Sequence, residues 1–240
     1  MANFLIFGAS GGIGAALARQ LSAQGHTLLL AGRNEAALAA VAGQLGCGYT
    51  RVDATSFEEV ARCVETASQN LGLLDGVANC VGSLLLKPAH LTSEAEYAAT
   101  LAANLTSAFA VVRSAAAALR ARGGSIVLVS SAAARIGLPN HDAIAAAKAG
   151  VIGLTLSAAA TYARHNIRVN CVAPGLVRTP LTARITEKPA ALEASTALHA
   201  LGRVGQPEQV ASAISWLLDP LQNWVTGQTL GVDGGLGTLR

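Results

Sequence analysis

Charge is scarce in this chain: Asp, Glu, Lys and Arg together make up 13% of 240 residues. A surface so weakly charged commonly loses area to contacts between copies, so a homo-oligomer, either tetramer or dimer, is expected. The cations are three Lys against 14 Arg, scattered along the chain, with a net charge of +3. No basic run is present to grip nucleic acid or an anionic membrane, and neither partner is expected. Cysteine amounts to Cys47, Cys63, Cys80 and Cys171, without CxxC or paired spacing. That argues against a zinc site or a disulfide framework and fits free thiols in a reducing, cytoplasmic compartment; no metal site is expected. Met1-Ala-Asn runs straight into a strand pattern, so no signal peptide is expected. No apolar stretch reaches ~18 residues without a polar break, and no membrane span is expected. Internal repeats and low-complexity linkers are also missing. One domain over residues 1–240 is therefore expected, long enough to bury a substantial core.

What is present is an alternation. Apolar runs predict strands over Asn3–Phe7, Thr27–Ala31, Tyr49–Val52, Gly76–Asn79 (from about Leu74), Ser125–Ser130, Ile167–Val172 and Thr229–Val232. Between them, helices are predicted over Gly12–Gln24, Glu35–Leu45, a segment after the N-cap candidate Ser56, two consecutive helices from Thr92 to about Ala121, His141–Arg164 and Pro207–Leu218. Strands that are apolar throughout, alternating with helices, mean a parallel sheet covered on both faces. The least regular stretch is 181–203, which contains Pro189. An insertion beyond a strand's C-terminal end can cover a ligand in such a fold.

Gly8-Ala-Ser10-Gly-Gly12-Ile13-Gly14 lies between the first strand and the first helix. Glycines there let the backbone approach a pyrophosphate, and the helix N-terminus adds N–H donors and a positive dipole. The bland alternative is a tight turn without a ligand; the strand–turn–helix context favours the phosphate loop. The second strand ends in Leu30-Ala31-Gly32-Arg33-Asn34. An NAD site would place a carboxylate there for the ribose hydroxyls. Gly32 offers none, and Arg33 offers a guanidinium to a 2′-phosphate, which favours NADP(H) over NAD(H).

The spacing Gly8-x-x-x-Gly12-x-Gly14 resembles that of the short-chain dehydrogenase/reductase family. So do Asn79 in Ala78-Asn79-Cys80-Val81-Gly82, Ser130-Ser131, Lys148 within His141–Gly150, Ile167-Arg-Val-Asn-Cys-Val-Ala-Pro174-Gly175, and Gly227-Gln-Thr-Leu-Gly-Val-Asp-Gly-Gly235. The resemblance runs from Gly8 to Gly235 and leaves only 181–203 unplaced. It implies an α/β, Rossmann-type, doubly wound parallel sheet of seven strands in a single domain, with a small-molecule carbonyl or alcohol as substrate. It implies cofactor contacts from Gly8, Ser10, Gly12, Ile13, Gly14, Arg33, Asp53 near the adenine, Asn79, Lys148 at the nicotinamide ribose, Pro174, Gly175, Val177 and Thr179. Members with NADP preference often carry a second basic residue inside the glycine loop; here that spot is Gly11.

The resemblance also exposes a gap. In the family a tyrosine is the general acid/base, a lysine lowers its pKa, a serine steadies the substrate oxygen and an asparagine positions a water. Lys148, Ser131 and Asn104 match the last three as catalytic candidates, but Ile144 stands where the tyrosine is expected and has no proton to give. Tyr49, Tyr97 and Tyr162 fall elsewhere; Tyr162 would lie about 27 Å along the same helix. Three readings follow: another group (Ser131, Lys148 or His141) or a water supplies the proton, the chain binds NADP(H) as a regulatory or partner subunit, or Ile144 is a knockout substitution.

Overall fold

The inner apolar runs become the central strands of one sheet because they have hydrophobic side chains for both faces, while the short edge strand is largely exposed. In the computed structural model, which describes residues 1–239, the strands are β1 (Asn3–Phe7), β2 (Thr27–Gly32), β3 (Gly48–Arg51), β4 (Gly76–Asn79), β5 (Gly124–Val129), β6 (Ile167–Pro174) and β7 (Thr229–Val232). They pair in parallel in the order β3-β2-β1-β4-β5-β6-β7. This is the expected seven-stranded, doubly wound Rossmann sheet. Period-two alternation sorts its side chains: Leu28 and Leu30 of β2 enter one core, Leu29 and Ala31 the other.

The first core is closed by α1 (Gly12–Ala23), α2 (Glu35–Leu45) and α9 (Pro207–Leu218), the second by α3 (Phe57–Leu71), α5 (Ser107–Leu119) and α6 (Asp142–Tyr162). Many contacts are alanines, such as Ala15, Ala16 and Ala18 of α1 and Ala115 and Ala116 of α5, all buried. Small side chains let these helices sit close to the sheet. Strand order reverses between β1 and β4, so their C-terminal ends flank a crevice, the usual place for a ligand in an open α/β sheet.

Helix starts follow local chemistry. Asn34 accepts the Ala37 N–H to cap α2, and Ser56 accepts the Glu59 N–H to cap α3. Ser93 and Glu96 form a reciprocal capping box at α4 (Glu94–Leu101). At the far end of the sheet the buried Arg168 donates to the carbonyls of Leu217, Val225 and Asp219, which ties down the C-terminus of α9.

Three features differ from expectation. The two helices expected after Thr92 are one 26-residue run, Glu94–Leu119, with a π-helical turn at Ala102–Thr106 between α4 and α5. Segment 181–203 is mostly helical, with α7 (Ala183–Thr186) and α8 (Pro189–Leu198); Pro189 starts a helix there because its fixed φ suits a first turn. Finally, Glu94–Leu119 and Asp142–His165 are both long and apolar enough in average composition to cross a membrane. Both pack against the sheet and neighbouring helices, with 50% and 44% of their apolar windows buried, which accounts for their hydropathy within the core.

Candidate active site

The crevice begins at the glycine loop. Gly8 has φ +73, a left-handed conformation, and a Cβ there would lie 2.8 Å from the Cys80 carbonyl carbon. A Cβ on Gly14 would lie 2.9 Å from Ala9 Cα, and one on Gly12 would lie 2.7 Å from Thr179 Cγ2. The loop thus packs against the start of α1, the β4 loop and the β6 loop, and only glycine fits at these contacts. Gly11, at the N-cap of α1, provides no side-chain acceptor, and the first turn carries no acid. The side-chain caps of α2, α3 and α4 have no counterpart here, which leaves first-turn N–H groups of α1 without a side-chain acceptor. This cradle fits a dinucleotide pyrophosphate, with Ser10, Gly12, Ile13 and Gly14 around it.

At the adenosine end, Gly32 ends β2, and a Cβ there would stand 3.6 Å from the Ser10 hydroxyl. Arg33 follows and is exposed. The half-buried Asp53 lies beyond β3. Its carboxyl is held below its usual range, first by the Thr55 N–H, then by the Thr55 hydroxyl and the positive charges of Arg33 and Arg51. Asn79 at the end of β4 is buried and accepts the Val81 N–H, which turns the chain away from the sheet.

At the other end, Lys148 and Asn104 come together across Gly82. A Cβ on Gly82 would lie 3.0 Å from Asn104 Oδ1 and 3.4 Å from Lys148 Nζ. The absence of a side chain at Gly82 keeps that space open. Asn104 sits in the π-helical turn, where Oδ1 accepts the Ser83 N–H and Nδ2 donates to Ser83 Oγ and to the Thr100 carbonyl. Lys148 is 6% exposed and donates to the Val129 carbonyl at 2.8 Å. Burial pushes its pKa down to about 8, and the neighbouring Cys80 and Cys171 thiols only partly oppose the shift. Cys80 is itself pushed up to about 12 by burial, so it is a packed thiol and no nucleophile.

Ser131 follows β5, accepts the Ala133 N–H, and keeps its own proton for another acceptor. Its neighbour Ser130 is buried and donates to the Lys148 carbonyl, fixing α6 against β5. Ile144, one turn before Lys148, is 3% exposed and part of the core. His141 precedes α6 and its Nδ1 lies 2.7 Å from the Pro139 carbonyl, a local bond that commits that nitrogen as a donor.

The β6 loop closes the crevice. Pro174 ends β6, and Gly175 has no room for a Cβ, which would lie 2.6 Å from His199 Nε2. The Val177 carbonyl accepts the Thr182 hydroxyl, which also meets Thr179. Two ties hold the helical segment over the crevice: Arg184 donates to the Leu84 carbonyl, and His199 accepts the Leu176 N–H while its other nitrogen lies 2.7 Å from the Ser195 carbonyl. Thr182, Arg184 and His199 escaped the sequence reading, and Gly82 entered it only within a motif, because their roles depend on contacts between distant segments.

Residues 8–237 match the protein family described as enoyl-(acyl carrier protein) reductase. The chain belongs to this family of short-chain dehydrogenases/reductases. Among its relatives in this family, the 2,5-dichloro-2,5-cyclohexadiene-1,4-diol dehydrogenase of Sphingobium indicum is 36% identical over 99% of this chain and 97% of that protein. The 3-oxoacyl-[acyl-carrier-protein] reductase FabG of Thermotoga maritima is 35% identical over 97% of this chain and 96% of its own length. Among solved structures, a short-chain dehydrogenase/reductase from Mycobacterium ulcerans superposes with a TM-score of 0.94 at 32% identity, covering 98% of this chain and 89% of that one. A single-residue variant of actinorhodin polyketide ketoreductase, solved with NADPH, superposes with a TM-score of 0.93 at 28% identity, covering 99% and 98%.

Proposed function

We propose that the chain is an NADP(H)-dependent oxidoreductase that interconverts a carbonyl and an alcohol, with Lys148 in place of a tyrosine as the proton donor. The observation that carries this reading is the state of Lys148: a buried ammonium with one bond to Val129, no carboxylate partner among the described residues, and a pKa pushed down to about 8. A cation in that position gives up a proton near neutral pH far more readily than a solvated lysine.

The glycine cradle, the uncapped α1 and Arg33 support NADP(H) as the dinucleotide, held with Gly8, Ser10, Gly12, Ile13, Gly14, Asp53, Asn79, Pro174, Gly175, Val177 and Thr179. When bound, the reduced cofactor supplies a hydride. Ser131 steadies the substrate oxygen by donating its hydroxyl proton in a hydrogen bond. Lys148 transfers a proton to that oxygen as the carbonyl becomes an alcohol, and its amine recovers a proton from solvent. Asn104 fixes Ser83 and the β4 loop beside Lys148. The names of the relatives, dehydrogenases and reductases, and the NADPH of the ketoreductase neighbour support the same reaction class. Exposed Phe109 on α5 and Leu156 on α6 support self-association through these helices, which light scattering would test.

The buried Ile144 favours a second reading, a subunit that binds NADP(H) and does not turn over. Turnover of NADPH against a panel of ketones and aldehydes separates the two, with Ile144→Tyr run alongside. Activity in the parent protein that is lost in Lys148→Met supports the enzyme. A silent parent protein that gains activity only in Ile144→Tyr overturns it in favour of the binding subunit. His141→Ala is expected to leave the rate unchanged.

A further inference from the structure

Gly32 and Arg51 are Cα partners across the β2–β3 ladder. Registered residues of neighbouring parallel strands point to the same face of the sheet. Gly32 shares its face with Leu28 and Leu30, the face of α1 and α2, and its absent side chain would point at Ser10 Oγ and Leu38. Arg51 therefore projects from the edge strand on the side of the glycine loop, next to the empty place that Gly32 leaves. Arg33 follows directly from the end of β2.

Several facts converge on this corner. Both guanidinium groups are close enough to Asp53 to lower its pKa. Both are exposed, and neither takes part in an ion pair among the described residues, where the pairs are Arg62–Glu58 and Lys87–Glu96. The Asn34 Oδ1 is committed to the cap of α2, accepting the Ala37 N–H. The Ser10 hydroxyl lies across the gap. Two unpaired guanidinium groups and a hydroxyl around a missing side chain form a receptor for a compact dianion.

We propose that Arg51 is the second cationic determinant of the cofactor's 2′-phosphate, so that Arg33 and Arg51 grip that group from β2 and β3 and the cofactor preference is set jointly by the two strands. This rests on the NADP(H) reading above. It also accounts for a glycine loop that carries Gly11 where a basic residue would otherwise stand: the second charge comes from the edge strand. Arg51 is a specificity residue and touches no reacting atom.

The test is equilibrium binding, followed by intrinsic fluorescence or calorimetry, of NADPH, NADH, 2′,5′-ADP and 5′-AMP to the parent protein, Arg51→Ala, Arg51→Lys and Arg33→Ala. Loss of one charge-assisted contact is expected to weaken NADPH and 2′,5′-ADP by about tenfold in Arg51→Ala, with NADH and 5′-AMP changed less than about twofold. Arg51→Lys is expected to recover part of the loss, and raising the salt concentration to shrink the difference between the parent protein and Arg51→Ala. If the parent protein prefers NADPH and 2′,5′-ADP but Arg51→Ala keeps the full preference, the assignment of Arg51 is wrong while the NADP(H) reading stands. If the parent protein binds NADH as tightly as NADPH, that reading and this inference both fall. An equal loss of 5′-AMP and 2′,5′-ADP in Arg51→Ala would show a general effect on the adenosine site and would also overturn the proposal.

Discussion

The two ends of the crevice are built on different terms. Around β1, β2 and β3 the site is made of absences: glycines at positions 8, 12 and 14 let the loop pack closely on its neighbours, Gly32 leaves a side chain's place empty, and exposed arginines stand nearby. Around β4, β5 and α6 it is filled: Lys148, Asn104 and Ile144 are all buried, and their polar atoms are bonded to backbone carbonyls or to the β4 loop. An open, solvated end recognises by charge and space. A buried end controls the protonation state of its groups, because burial moves a pKa much further than surface charge does. Binding and chemistry can therefore fail independently in this fold.

That contrast is most exposed to Lys148→Met. Turnover in a carbonyl reduction is expected to fall by about 10²–10⁴-fold, the usual worth of a general acid, while the melting temperature holds or rises because a buried cation has been replaced by an apolar chain. A variant that retains full turnover would remove the chemistry from the buried end. Gly14→Ala attacks the open end instead. Its Cβ meets backbone atoms that cannot move aside, so a stability cost of about 1–3 kcal/mol is expected from overpacking, together with loss of NADPH binding in a fluorescence titration. Unchanged binding would mean that the cradle does not hold the dinucleotide.

The pH dependence of stability sharpens the picture of the buried end. Lys148 titrates near 8 in the folded chain against an ordinary 10.5, so between those values the unfolded chain binds more protons and stability rises with pH. Cys63 and Cys80 titrate near 12 against an ordinary 9.0, so above 9 the unfolded thiols lose protons that the folded ones keep, and stability falls. Urea melts across this range are expected to show a shallow rise from pH 8 to 9 and a decline beyond. The rise should vanish in Lys148→Met while the decline remains; a rise that persists would mean that another group causes it. The smallest effect is expected for Arg184→Ala, which removes one exposed bond to the Leu84 carbonyl. At about 0.5–1.5 kcal/mol for such a bond, KM for the substrate is expected to rise a few-fold with kcat nearly constant. A larger fall in kcat would show that the helical cover also shapes the buried end.

The two ends were also unequally legible. The glycine loop, Gly32 and Arg33 announce themselves within a few residues of one another, since a tight turn and a helix start are local matters. The strands were legible for the same reason, down to β1 over Asn3–Phe7. At the buried end, sequence located Ser131, Lys148 and Asn104 only through family resemblance. Spacing alone could not show that Asn104 and Lys148 both border Gly82, because that arrangement joins a helix, a loop and a second helix far apart in the chain. The π-helical turn at Ala102–Thr106 joins what the sequence reads as two consecutive helices. Segment 181–203 looked irregular because its helices are short and one begins with proline, and proline reads as a breaker when the first turn is not recognised.

That π-helical turn has a consequence of its own. In the Ala102–Thr106 turn the Ser107 N–H reaches back five residues to Ala102, the Ala103 carbonyl takes the Ser107 hydroxyl, and the Thr100 carbonyl takes the Asn104 amide. The wide turn amounts to one extra residue threaded into an otherwise ordinary helix. Deleting a single alanine here would let the rod rewind as an ordinary helix, with the capping box kept and α4 and α5 still in register, because the wide turn absorbs the extra residue; what would be lost is the local widening that aims Asn104. The aim of the Asn104 amide is thus encoded in a residue count as well as in a residue identity. A one-residue deletion could disarm this site while every side chain named in it survived.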